Sequence, residues 1–192
     1  METNAKRLET EVKLQRAFIK LMTRTGFEHV SVQALTREAG INRGTFYLHY
    51  IDKFDLLAHY EDELVNQIHT IFERYPKPTD PVAEDITANA FWQLFHYLFR
   101  QRELAVVLLQ SPASQMSVRV KQLVDEVMGP VTGYNEGVPA GFSQALVAQG
   151  VLDYIGYWLT QATSVTPDEA YVIFNQTRVL SPQQLLHGVA KR

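Results

Sequence analysis

The chain has 192 residues, of which 46% are hydrophobic and 20% charged, with a formal net charge of −3 and no cysteine. That length fits one domain or two small ones, and the missing cysteines exclude a disulfide framework, a thiolate metal site and a cysteine nucleophile. Charge is uneven: residues 1–60 hold nine Lys/Arg against seven Asp/Glu, while residues 61–192 hold nine against fourteen, so the front part suits a polyanionic partner better than the back.

Apolar residues recur at spacings of three and four along nearly every long segment, and no useful β-alternation occurs, so the chain reads as all-α. A first helix is predicted over residues 4–25, with Leu8, Val12, Ile19 and Met22 on one stripe widened by Leu14, Phe18 and Leu21. Gly26 ends it, and Ser31 caps a short helix that turns Val32 and Leu35 inward. Gly40 breaks the pattern. A second short helix runs from about Asn42 to His49, and Asp52 caps a long one reaching about Tyr75, with Phe54, Leu57, Leu64, Ile68 and Phe72 inward.

Tyr75-Pro76-Lys77-Pro78-Thr79-Asp80-Pro81 is a stiff break between a front and a back module, and Asp80-Pro81 opens the next helix. Residues 91–99, FWQLFHYLF, are apolar around most of their circumference and read as a buried helix. Ser111-Pro112 is expected to start a helix ending near Met128, followed by a loop over 129–141 with four glycines and two prolines. A helix over about 142–163 carries the apolar residues Phe142, Leu146, Val147, Val151, Tyr154, Ile155, Trp158 and Leu159. The next opens at Thr166-Pro167-Asp168-Glu169 with a capping box, and Ser181-Pro182-Gln183-Gln184 repeats that logic in a short tail helix. No apolar run approaches the roughly 18–20 residues of a membrane span, and the first residues have no apolar core of a secretory signal, so a cytoplasmic location without membrane contact is the expectation.

The informative stretch is residues 31–53, SVQALTREAGINRGTFYLHYIDK. Two short helices around a glycine turn make a helix-turn-helix, locked by Val32, Leu35, Ala39, Ile41, Phe46 and Tyr50. The second helix offers Asn42, Arg43, Thr45, Tyr47 and His49, which are donors and aromatics without one acid, while Gly44 lets backbone come close to a partner. Such a tip suits phosphates and base edges. Lys53 stands in a helix first turn, where acids are the usual preference, and a phosphate would account for it.

Ala39-Gly40-Ile41-Asn42-Arg43-Gly44-Thr45-Phe46-Tyr47-Leu48-His49-Tyr50, followed by Lys53 and Leu56, resembles the DNA-binding signature of the TetR family of transcriptional regulators. The resemblance implies that Asn42 and Arg43 begin the recognition helix, that Arg43 reads a base, that Gly44 permits close approach, and that Thr45, Tyr47, His49 and Lys53 hold phosphates. Leu35-Thr36 departs from the usual Ile-Ala, and Tyr50 from the usual Phe, so its hydroxyl needs a partner. Residues from about 85 to 180 resemble the C-terminal domain frequent in Firmicute-type members. This implies a homodimer built by the last two long helices as a four-helix bundle, with Ala145, Ala148, Gly150 and Gly156 allowing close packing.

The expected organisation is a helix-turn-helix domain over residues 1–52, a linking helix over 53–75, and a ligand-binding and dimerisation domain over 80–192. The expected partners are a double-stranded operator, a second copy of the chain, and a small apolar or aromatic effector. Phe91, Trp92, Phe95, Tyr154 and Trp158 are the candidate effector residues, set against an ordinary aromatic core. The function implied is repression relieved by the effector; the alternative is a co-activator controlled by a protein partner. No paired carboxylates, nucleophile constellation or phosphate-binding loop stands out, and the His59/Glu63 spacing has no second pair to complete a metal site. Neither an enzyme nor a cofactor is expected.

Overall fold

The structure is a computed structural model that describes residues 4–75, 87, 89–129, 137–161 and 165–187. Among these residues all regular structure is helical. The first helix, α1 (Asn4–Thr25), leads through a single 3-10 turn at Phe27–His29 into α2 (Val32–Ala39) and α3 (Arg43–Tyr47). The long α4 (Lys53–Arg74) follows, then α5 (Ala90–Arg100), α6 (Arg102–Gln110), α7 (Met116–Met128), α8 (Ala140–Thr160), α9 (Pro167–Thr177) and α10 (Pro182–His187). The Pro76–Pro81 part of the front-to-back break, the helix start at Asp80-Pro81, and most of the 129–141 loop lie outside the described residues. No helix among the described residues is long and apolar enough to cross a membrane.

Local chemistry sets the boundaries. Asp52 Oδ1 accepts from the backbone N–H groups of Phe54 and Asp55 and so starts α4. At α9 the capping box is complete: Thr166 Oγ1 accepts from Glu169 N–H while Glu169 Oε2 accepts from Thr166 N–H. These bonds hold the Glu169 carboxyl below the ordinary carboxylate range. Ser181 and Gln184 repeat the exchange at α10.

One apolar core runs through the molecule. The front module closes around Leu14, Phe18, Leu35, Phe46 and Leu56, each fully buried. It joins the back module through α4 and through α6, which packs on α1. Behind it, α5 pairs with α9 and α7 with α8.

Several inward assignments from the sequence are corrected. Leu8 and Val12 are exposed, because burial on α1 begins only at Leu14. Phe54 is exposed on the second residue of α4, where it lies edge-on against Phe27 at the rim of the module. The helix expected from Ser111-Pro112 starts at Met116 instead, after an irregular stretch. One bond at its start comes from afar: Glu61 on α4 accepts from the Gln115 backbone N–H at 2.8 Å.

Candidate nucleic-acid interface and C-terminal cavity

The recognition module is fixed by three short-range devices. Ser31 Oγ accepts from Ala34 N–H at 3.1 Å and starts α2. Gly40 ends it in the left-handed region, φ 65° and ψ 34°, which costs glycine little. Asn42 Oδ1 then accepts from Gly44 N–H at 2.8 Å and starts α3. Phe46 and Leu35 are fully buried and lock the pair, with Ala39 and Tyr50 buried beside them and Val32 and Ile41 partly buried.

The two departures from the family pattern are both absorbed. The Thr36 side chain is buried, and its hydroxyl donates to the carbonyl of Val32 at 2.9 Å, so no polar atom is stranded. The Tyr50 hydroxyl donates to Glu11 Oε2 on α1 at 2.5 Å. Burial, reinforced by that carboxylate, pushes the Tyr50 phenol well above its ordinary pKa. The bond ties the end of the helix-turn-helix to α1.

The outer face of α3 carries the residues singled out in the sequence. Asn42, Arg43, Gly44 and Tyr47 are exposed, with Thr45 and His49 half-buried between them and the core. Arg43 Nη2 donates to the Tyr47 hydroxyl at 3.3 Å, so the two side chains lie together one turn apart. A Cβ placed on Gly44 meets only Asn42 Oδ1, at an ordinary 3.5 Å. Nothing inside the chain therefore requires glycine there, although glycine weakens a helix by about 1 kcal/mol relative to alanine. Lys53 is different. Its ammonium donates to the carbonyls of Phe27 at 3.0 Å and Glu28 at 3.3 Å, and lies 4.6 Å from the Phe27 ring centroid. These internal partners account for a cation at that position without a phosphate.

In the back module the five aromatic candidates separate. Phe95 is buried at the centre of a ring cluster, against Trp158, Tyr171 and Phe174. Trp158 Nε1 donates to Val165 O, the Tyr154 hydroxyl to Ala170 O, and Trp92 Nε1 to Asp168 Oδ1. Burial raises the Tyr154 phenol to about 12. Four of the five are thus committed to joining α5, α8 and α9. Only Phe91 reaches an open space, an apolar cavity between α4, α5, α6, α7 and α8. With its open mouth it spans about 770 Å³. Its walls include Leu64 and Ile68 of α4, Val120 and Val124 of α7, and Val151 of α8. The sequence reading passed over these aliphatic residues in favour of aromatics; the stripe Met116, Val120, Leu123, Val124 and Val127 on α7 was the readable signal.

A polar latch joins this cavity to the front module. Glu61 on α4 is buried, with 3% exposure, and receives the Gln115 N–H described above. Its other oxygen lies 3.5 Å from Arg119 Nε on α7, and Arg119 also pairs with Asp62. The helix that walls the cavity is thereby fastened to the helix that carries the recognition module. Among the described residues no group of three or more His, Asp or Glu side chains could hold a metal ion.

Residues 16–60 match the family model described as bacterial regulatory proteins, tetR family. No curated protein matches the chain in sequence. Solved structures match over nearly the whole length. A TetR-family transcriptional regulator from Syntrophomonas wolfei is 18% identical, with 96% of this chain and 98% of that one covered at a TM-score of 0.62. NalD of Pseudomonas aeruginosa, the secondary repressor of the MexAB-OprM multidrug efflux pump, is 16% identical, with 96% and 98% covered at 0.59. The regulator FadR of Bacillus subtilis, solved with stearoyl-CoA, is 15% identical, with 93% and 99% covered at 0.56. Residues 16–60 thus carry the tetR-family domain of that model, and the chain as a whole shares the fold of the solved TetR-family regulators.

Proposed function

We propose that this chain is a homodimeric transcriptional repressor, released from its operator by a small molecule that enters the C-terminal cavity. The observation that carries the DNA reading is the outer face of α3. It is exposed, free of acids, opened by an Asn42-capped helix start, and contains a glycine that the interior does not require. Arg43 and Asn42 would read base edges, Gly44 would admit the backbone to the groove, and Thr45, Tyr47 and His49 would hold phosphates on either side, while Lys53 keeps its internal partners.

The dimer rests on a second observation. Phe142, Leu146 and Tyr157 on α8 and Val172 and Ile173 on α9 are exposed, although each of these helices buries its opposite face. Two copies meeting through α8 and α9 would cover them in a twofold four-helix arrangement. Each α3 would then enter one half-site, the two being roughly 34–36 Å apart.

Control by a small molecule is supported by the cavity. The aromatic cluster is filled, but the slot beside it is open and lies directly against α4 and α7. FadR of Bacillus subtilis, crystallised with stearoyl-CoA, shows the same fold accommodating a ligand. A ligand releases DNA only by binding the DNA-incompetent arrangement more tightly than the competent one. The element to be displaced is α7, which the Glu61–Arg119 latch connects to α4.

The test is a gel shift and a fluorescence titration on the DNA flanking the coding region and on a selected random pool. Binding to a roughly palindromic site that weakens steeply with salt is the expected result. No binding in either pool, or binding insensitive to salt, refutes the reading.

A further inference from the structure

Arg178 breaks the pattern of the cavity walls. It ends α9 and stands at the mouth of a slot whose other lining residues are aliphatic or aromatic. Its guanidinium lies 4.8 Å from the Phe174 ring centroid. Phe174 in turn contacts Phe91, with 5.6 Å between ring centroids, and Phe91 forms part of the wall.

Two other basic side chains of this module are tied to internal partners, whereas Arg178 is exposed beside the cavity. Arg102 donates to the carbonyls of Leu159 and Gln161, which end α8, and Arg119 pairs with Glu61 and Asp62. Among the described residues Arg178 has no carboxylate within ion-pair distance and no hydrogen bond to its guanidinium. Partial desolvation against the aromatic rings lowers its pKa from the ordinary arginine value, and an arginine remains charged at neutral pH regardless. A planar cation at the rim of an apolar slot matches a ligand with an acidic head and an apolar body. Apart from Arg178 the lining is apolar, so the body of such a ligand is hydrocarbon.

We propose that the cavity takes an amphipathic carboxylate, with its hydrocarbon body between α4, α7 and α8 and its carboxylate held by Arg178. The proposal deepens the effector reading above and rests on it. The head stays near water while the tail leaves it, so the charge is neutralised without the cost of deep burial.

Calorimetric titration of the full chain with hexanoate, octanoate, decanoate and dodecanoate, below micelle-forming concentrations, tests this directly. Each added methylene should tighten binding about three- to fourfold until the slot is filled. Arg178→Gln should loosen dodecanoate about tenfold or more and leave 1-dodecanol within about twofold. Dodecyltrimethylammonium should bind more weakly than dodecanoate to the unmodified chain. Val124→Trp, which fills the slot from α7, should abolish binding of both dodecanoate and 1-dodecanol, with the helical circular dichroism signal retained.

Equal losses for dodecanoate and 1-dodecanol in Arg178→Gln would overturn the assignment of the head group. Unchanged dodecanoate affinity in Val124→Trp would overturn the assignment of the tail. Operator binding without ligand is measured in parallel on all three proteins. Normal operator binding with no carboxylate response sinks the ligand class alone, whereas loss of operator binding by the unmodified chain sinks the regulatory reading beneath it.

Discussion

Replacing Glu61 tests whether the two modules are mechanically joined. Its carboxylate is almost wholly buried and serves two partners on α7, the Gln115 N–H at 2.8 Å and Arg119 Nε at 3.5 Å. Breaking a buried ion pair by removing one member costs about 3–5 kcal/mol when the survivor is left buried and alone. Here the survivor is not alone. Arg119 keeps Asp62, and its side chain is 30% exposed, so solvent screens most of the lost attraction. What remains is the orphaned N–H at the start of α7, worth about 1–3 kcal/mol, less the relief of desolvating a buried carboxylate. Glu61→Ala should therefore cost about 1–3 kcal/mol. In a chain of 192 residues each kcal/mol lowers Tm by roughly 2–4 °C. Glu61→Gln keeps an oxygen for Gln115 and should cost under about 1 kcal/mol. Calorimetric melting at one fixed protein concentration, needed because dimerisation shifts apparent stability, separates the two variants. Equal losses would show that charge rather than the cap is what α7 loses, and no loss in Glu61→Ala would show that α4 and α7 are not fastened there.

Three further outcomes follow from the recognition module. Phe46→Ala removes a fully buried ring and should cost about 3–5 kcal/mol in thermal or denaturant unfolding. Tyr47→Ala, on the exposed side of the same helix, should stay within about 0.5 kcal/mol in stability while weakening operator binding in a fluorescence titration; equal melting losses in the two variants would reverse the inward and outward assignment. Gly40→Ala meets no atom within 4 Å, so its expected cost of about 1–2 kcal/mol comes from the left-handed backbone alone, and unchanged melting would show that the turn relaxes to another conformation.

The front module was legible because its structure is set by neighbours in sequence. Ser31, Gly40, Asn42 and Asp52 each act within three residues of their own position, and all four do in space what their types imply. The capping boxes at Thr166 and Ser181 were legible for the same reason. What the sequence could not disclose depends on partners far along the chain. The start of α7 is set partly by Ser114, whose Oγ accepts from Met116 N–H, and partly by Glu61, which holds the Gln115 N–H from fifty-four residues away. The partner of Tyr50 proved to be Glu11, thirty-nine residues back. The inward face of α1 was misjudged at Leu8 and Val12 because periodicity reports where apolar residues sit on a helix, while burial depends on how far the neighbouring helices extend along it.

The aromatic candidates for the effector site follow a related logic. Large rings are attractive candidates for a pocket because they bury much area and carry polar handles. The same properties make them the best material for closing a core, since each handle here finds a backbone or side-chain acceptor and each ring finds another ring. Cavities persist where aliphatic residues from several helices meet and no single side chain is long enough to reach across. Leu64, Val120, Val124 and Val151 satisfy that condition, coming from three helices. An empty apolar slot forfeits dispersion contacts that a filled core would have. The cavity lies between α4 and α7, the two helices that the Glu61–Arg119 pair joins. Under the proposed reading, a ligand in the cavity would gain those contacts only in arrangements where α7 accommodates it, and that difference between arrangements, rather than tightness of binding alone, would couple the cavity to α4.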